Sequence, residues 1–434
     1  MSPRQLAPPR SARIEAVMAS PLIWQIASDL PDQDIGRPRR HPLAVHLAFG
    51  ALARVYGSVR KLESDIIHGD LWPTIRTLYQ QHSGGDTLPP FAPKLTVDAY
   101  KRSRQYLSGD DTFDLVVESF TSHSVSFARQ IGLLLPNGPG SRTKPHPTRI
   151  LFGDGTVVRP MYGKNARRQD PDAAVHTRHD GTIFGSNLVA FAARGAEPYQ
   201  RVVLTVGRVD APGGEADTAL QLLRRLHPLV GDGALAVVYD GAFRGVHHHT
   251  LLTELGWILI NKVHPAANTE GDRTWRTVTL GRWEHTVGKY TCGHNLVAHN
   301  GSVLEQYIDA EGNLAHSEAL PRRQIRRTRS KAGFRFSLGV DVDCPRGGFT
   351  AWISPHTQPG DRTHRRPDQL RLIPPDDLQF SALYGLRNDS ESINAEYKRT
   401  LYASRAATLG WRRQVLDLMS WAIASNSYAW AVHG

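Results

Sequence analysis

Cysteine is almost missing from this chain. Cys292 and Cys344 are the only two in 434 residues, which excludes a disulfide framework and a cysteine-rich zinc site. Cys292 with His294 and His299 has the spacing of two ordinary groups in a β-rich region more than that of a metal site. Three consecutive histidines, His247, His248 and His249, point to different faces of a helix and do not converge on one ion. Long apolar runs are missing too. The most apolar stretch, Val415 to Val432, is broken by Asp417, Ser420, Ser425, Asn426 and Ser427, so it reads as a buried helix and not a membrane span. The N-terminus is polar and proline-rich and lacks the apolar core of a signal peptide, so a cytoplasmic protein with no membrane partner is expected. No internal repeat or long low-complexity segment stands out.

Acid is in deficit: 41 Asp and Glu face 52 Lys and Arg, a formal charge of +11 with pI near 9.8. Such a surplus favours a polyanionic partner, because basic side chains that neutralise phosphates release counterions. With 40% hydrophobic residues the chain can bury a core, and its length suits roughly two or three domains.

Residues 1–136 read as helical and basic, a region expected to bind DNA. Pro42 opens a helix with Leu43, Val45, Leu47, Ala48 and Leu52 on its apolar face, after the basic run Arg37, Arg39 and Arg40. A second helix fits Thr112 to Leu135. The proline- and glycine-rich stretch 137–148 reads as a linker. Residues 149–263 then show apolar strands at RILF (149–152), LVAF (188–191), RVVLTV (201–206), LAVVY (235–239) and WILINKV (257–263). Helical spacing appears at Glu215 to Leu226 and Gly245 to Leu255. Three strands, a helix, a strand, a helix and a strand is the order of an RNase H-like core. The expected class is therefore α/β, a mixed five-stranded sheet with helices. Residues 264–360 read as a β-rich insertion in that core. Residues 361–434 return to helices, one through Glu391 and a last from about Arg412 to Trp430.

Two aspartates close strands in this pattern. Asp154 lies in GDGT and Asp240 in VVYDGAFRG. A carboxylate at the end of a buried strand costs desolvation unless something binds it, and ligands gather at strand ends. One Asp-Gly alone is most simply a turn; a repeat of the arrangement points to a metal. Asp170 and Asp172 lack a preceding buried strand and are weaker candidates. A third carboxylate occurs in YGLRNDSESINAEYK, where Tyr384, Arg387, Glu391 and Lys398 are separated by two, three and six residues. On a helix Glu391 and Lys398 are two turns apart on one side, and Arg387 lies one turn earlier.

This Y-x2-R-x3-E-x6-K spacing resembles the signature around the catalytic glutamate of DDE transposases of bacterial cut-and-paste insertion sequences. The DGT and DGAF segments are similar to that group's two aspartate boxes, and the resemblance covers about residues 149–434. It implies that Asp154, Asp240 and Glu391 bind two Mg²⁺ or Mn²⁺ ions for in-line attack on a phosphodiester, first by water and then by a DNA 3′-hydroxyl. It also implies that Tyr384, Arg387 and Lys398 contact DNA near the cut, that terminal inverted repeats and target DNA are the partners, and that a homodimer forms on DNA in the nucleoid. The basic run Arg322, Arg323, Arg326, Arg327, Arg329 and Lys331 is expected to track a DNA backbone. Trp275 and Trp283 are candidates to stack on a flipped base, with core packing as the simpler role. The alternatives are a catalytically silent, domesticated DNA-binding derivative and an RNase H-like nuclease acting on other nucleic acids.

Overall fold

The computed structural model describes residues 8–31, 41–82, 94–178, 181–267, 273–361 and 365–434. Arg37, Arg39 and Arg40 lie outside the described residues, as do 83–93. In chain order the helices before the first strand are α1 (Arg10–Ala19), α2 (Pro21–Ser28), α3 (Leu43–Tyr56), α4 (Val59–His68), α5 (Leu71–His82), α6 (Val97–Leu107) and α7 (Asp110–Gln130). Then follow β1 (Ile150–Pro160), β2 (Ala174–Arg178), β3 (Gly181–Arg194), β4 (Arg201–Arg208), α8 (Glu215–Val230), β5 (Ala236–Val238), α9 (Val246–Thr250) and β6 (Ile258–Ile260). Two-residue strands β7 (Ala266–Ala267) and β8 (Arg273–Thr274) precede β9 (Val278–Val287), β10 (Tyr290–His299), β11 (Ser302–Ile308), β12 (Leu314–Ala319), β13 (Arg322–Ser330), β14 (Gly333–Val342) and β15 (Phe349–Ile353). The chain ends with α10 (Arg365–Gln369), α11 (Phe380–Tyr384), α12 (Arg387–Arg399), β16 (Arg405–Ala406) and α13 (Trp411–His433).

The chain forms two compact units. One holds Met1–Leu135, Asp154–Val230 and Ser390–Gly434; the other holds Pro136–Gly153 and Gly231–Asp389. In the first unit α3 is buried from Leu43 to Val55, and it stops where Gly57 takes the left-handed conformation at φ 65°. That conformation strains any residue with a Cβ. Helix α13 is buried through most of its length and packs on β4, α1 and α3. Its polar residues explain why the Val415–Val432 stretch is not continuously apolar. Asn426 accepts from the Val203 N–H and donates to the Val203 C=O, both at 2.8 Å, so a side-chain amide stands in for a strand partner on β4. Asp417 takes Arg104 at 3.2 Å and Arg54 at 3.8 Å in the same interior. Strands β2, β3 and β4 form an antiparallel meander.

In the second unit Ile150, Leu151 and Phe152 pair in parallel with Ala236, Val237 and Val238, which pair in parallel with Ile258, Leu259 and Ile260. These nine residues are buried, which is why the segments read as unbroken apolar runs. The same unit holds an antiparallel sheet of order β12-β11-β10-β9 and another of order β13-β14-β15. Its leading segment is pinned by Arg149, whose guanidinium donates to the carbonyls of Pro136 and Gly138, both at 3.0 Å.

The molecule is thus α/β with a sheet of mixed strand direction. That sheet has seven strands, where five were expected; β2 and β16 are the two short additions. The first strand also runs on to Pro160 where RILF alone was expected, because Thr156, Val157 and Val158 continue it past the glycines. The helix expected from Thr112 to Leu135 ends at Gln130, just before Gly132 at φ 84°. The one expected over Gly245 to Leu255 is a short α9 followed by a wider π-type turn at Leu251–Leu255.

Candidate metal centre

Asp154 is the second residue beyond Phe152 on β1, and Asp240 is the second residue beyond Val238 after β5. Phe152 and Val238 are register partners in a parallel pair. The Asp240 turn is braced: its Oδ1 accepts from the Ala242 N–H at 2.8 Å, and its carbonyl accepts from Asn261 Nδ2 at 3.0 Å. Asn261 Oδ1 in turn accepts from Arg371 Nε at 2.8 Å. Arg371 is 1% exposed, and that burial lowers its guanidinium to about 10.

Glu215 is the first residue of α8, and its Oε2 accepts from Asn187 Nδ2 of β3 at 2.8 Å. Asp154 and Glu215, both half-buried, each offer a carboxylate oxygen within 4.8 Å of the other; Asp240 belongs to the other unit. Gly155 makes room for this: a Cβ there would stand 2.1 Å from Glu215 Oε2. An all-oxygen, multiply charged set of this kind suits a hard divalent cation such as Mg²⁺ or Mn²⁺ and suits thiophilic metals poorly.

Glu391 is exposed on α12 and is outside that acidic group. Its helix nevertheless touches Asp154, whose Oδ2 accepts from Asn394 Nδ2 at 3.3 Å. Glu391, Asn394 and Lys398 are separated by three and four residues, and Arg387 precedes Glu391 by four, so all four share one helical stripe. Tyr384, on α11, stacks against Phe380 with centroids 5.2 Å apart, and Lys262 Nζ lies 5.6 Å from its ring centroid. Three residues close to the acidic group escaped the sequence: Glu215, Asn187 and Asn394. The signal for Asn394 was available in its spacing from Glu391 and Lys398. For Glu215 there was only its place at a helix start after two glycines.

Asp170 and Asp172 serve another purpose. Asp170 is 1% exposed and accepts from the Gly410 N–H at 3.2 Å, and Asp172 accepts from the Trp411 N–H at 3.0 Å. Both carboxylates therefore hold the N-terminus of α13. His248 is buried, donates to the Pro367 carbonyl at 2.7 Å, and is held well below the usual histidine range by desolvation and Arg371. His294 pairs with Glu305 at 2.7 Å. Neither takes part in a metal-suited group among the described residues.

The arginine run lies on β13 and divides by burial. Arg322 is 6% exposed and meets Asp377 at 2.6 Å. Arg327 is 11% exposed, paired with Asp232, and stands 4.5 Å over Phe334. Arg323 is 65% exposed, and Arg326 lies 3.7 Å over the Trp352 ring. Arg329 is exposed beside them. Trp275 is 42% exposed, whereas Trp283 is half-buried on β9.

Fold and site define an α/β protein whose mixed sheet carries a half-buried group of carboxylates suited to a divalent cation. No protein-family model and no curated protein matches the chain. No helix among the described residues is long and apolar enough to cross a membrane.

Proposed function

We propose that this chain is a DNA transposase of an insertion sequence, with an RNase H-like core that cuts and joins DNA ends with divalent metal. The observation that carries the reading is the Asn394–Asp154 contact, which ties the helix bearing Glu391 to the first aspartate. The order β1-β3-β4-α8-β5-α9-β6, with β2 a short addition, supports the RNase H-like assignment. Two Mg²⁺ or Mn²⁺ ions would supply Lewis acidity and a nucleophile at neutral pH. Asp154, Asp240 and Glu391 hold them. Arg387 and Lys398, on the stripe with Glu391, grip phosphates of the transposon end, and Tyr384 adds a contact without acting as nucleophile. The exposed arginines Arg323, Arg326 and Arg329 track the DNA backbone; Arg322 and Arg327 brace the strand that presents them. A homodimer pairs two ends and target DNA, in the cytoplasm at the nucleoid.

The test is nicking of a duplex carrying the element's inverted repeat, with purified protein and Mg²⁺. Asp154→Asn, Asp240→Asn and Glu391→Gln are each expected to abolish cleavage and to leave DNA binding largely intact. Cleavage retained by any one of them removes that residue from the centre. A second reading, an RNase H-like nuclease acting on other nucleic acids, is favoured by the place of Glu215 in the acidic group where Glu391 was expected. Cleavage that ignores the inverted repeat and survives Glu391→Gln but not Glu215→Gln would select it.

A further inference from the structure

We infer that the end of β1 and the loop after it, residues 159–169, form with Arg405 a surface that binds the phosphate backbone of a nucleic acid. This surface is separate from the arginines of β13, which belong to the other unit, and it stands whether or not the chain is a transposase. Arg159 on β1 and Arg405 on β16 are register partners in a parallel pair. Cross-strand neighbours of like charge repel one another. Nothing offsets that repulsion: Arg159, Lys164, Arg167, Arg168 and Arg405 make no ion pair among the described residues. Residues 159–169 and 399–407 contain no Asp or Glu. Arg405 is also held in place, since its Nη1 donates to the Pro160 carbonyl at 3.2 Å. An anion relieves two neighbouring guanidiniums that lack a carboxylate, and their planar forks of N–H donors match a phosphate.

The loop adds charge on a fixed frame. Lys164, Arg167 and Arg168 are all exposed. At one end of the loop the Met161 N–H donates to the Ala406 carbonyl at 3.0 Å. At the other, the buried Asp170 accepts from the Gly410 N–H at 3.2 Å and from Gln414. Two successive turns lie between, closed by Ala166 N–H to the Gly163 carbonyl and Gln169 N–H to the Ala166 carbonyl, both at 3.0 Å. A loop tied at both ends has less ordering entropy to lose when its cations meet a ligand. The uncharged neighbours favour nucleic acid over a lipid surface. Tyr162 is 43% exposed, and Tyr402, which bridges to Arg405, is 70% exposed. A phenol can donate to a phosphate or stack on a base. No exposed Leu, Ile, Phe or Trp occurs in 159–169 or 399–407 to enter a bilayer.

The experiment measures binding of the full chain to a fluorescent mixed-sequence DNA oligonucleotide, single-stranded and as a duplex, by anisotropy across a salt series. The triple variant Arg159→Gln, Arg167→Gln, Arg168→Gln is expected to bind roughly 10-fold or more weakly and to lower the slope of log affinity against log salt by about two to three. The oligonucleotide that shows the loss tells whether the bound strand is paired or unpaired. Arg159→Gln alone removes the like-charged neighbour of Arg405, so its melting temperature should equal or exceed that of the wild type while its salt slope falls by about one. An arginine with a purely structural role would lower the melting temperature instead. Should the triple variant melt low, Arg167→Gln, Arg168→Gln must still lower the slope by about two. Wild-type affinity and slope in the triple variant overturn the inference. So does a wild-type chain that binds neither oligonucleotide, or one that uses these cations only on phosphatidylserine vesicles. The transposase reading is judged separately by inverted-repeat cleavage. Binding that depends on this surface without such cleavage supports the inference and refutes that reading. Cleavage with unchanged DNA affinity in the triple variant does the reverse.

Discussion

Replacing Gly155 with alanine isolates the acidic group from the rest of the fold. The new Cβ would stand 2.1 Å from Glu215 Oε2, 2.3 Å from Cδ and 2.6 Å from Oε1, where ordinary contact begins near 3.4 Å. The carboxylate must therefore retreat by more than about 1 Å, enough to break the 2.8 Å bond from Asn187. Gly155 does not use the left-handed conformation, so alanine brings no backbone strain. The displaced atoms are the far end of a flexible, half-buried side chain, which can turn toward water. Loss of a charged hydrogen bond costs roughly 1.5–3 kcal/mol at most. Restriction of the unfolded chain by alanine returns about 0.4–1 kcal/mol. Folding stability should fall by no more than about 2 kcal/mol. Divalent-cation affinity should fall about 10- to 100-fold, as for loss of an orienting partner at a metal. Calorimetric titration with Mn²⁺, beside urea denaturation of the same samples, reads both quantities. A Gly155→Ala protein that binds Mn²⁺ like wild type would refute the role given to the Glu215 carboxylate. One that fails to fold would refute the view that the space above Gly155 is functional and not structural.

Asp417→Leu should destabilise the protein by about 3–5 kcal/mol in urea denaturation, because it strands Arg54 and Arg104 in a dry interior; a change below about 1 kcal/mol would show that water reaches them. Acid should weaken the fold through His356, whose pKa is lowered to about 4 by burial and by His249 and Arg335. Its Nε2 accepts from the Phe336 N–H at 2.8 Å, which only the neutral ring can do. The unfolded chain therefore binds this proton more readily, so stability is full above about 6.5 and is lost as pH falls toward about 4. His356→Gln should flatten the melting temperature in that window relative to wild type, and identical profiles would remove His356 as a cause. Arg323→Ala should reduce the salt slope of DNA binding by about one without changing the melting temperature. Arg322→Ala should instead lower the melting temperature, since it leaves the 11%-exposed Asp377 without its pair; the opposite pattern would reverse the division of the arginine run.

The sequence by itself determined the segments whose chemistry is local. Apolar runs at 150–152, 236–238 and 258–260 could only be strands buried on both faces, and their apolar content left no polar face to expose. The start of α8 at Glu215 and the body of α3 followed from helical spacing, and the stripe from Arg387 to Lys398 from residue separation alone. Other matters waited on partners far along the chain. Asp154-Gly155 reads as a turn in isolation, yet β1 continues through it because β3 comes so close that a Cβ on Gly185 would lie 2.3 Å from the Val158 carbonyl. The arginines of β13 look alike in a row; strand pairing and the acids at 232 and 377 decide which are buried and which face solvent. Which acid stands beside Asp154 was also a tertiary decision. Spacing could nominate Glu391, but only tertiary packing brought Glu215 and Asn394 into contact range of Asp154, because proximity between residues tens to hundreds of positions apart is set by packing and not by local preference.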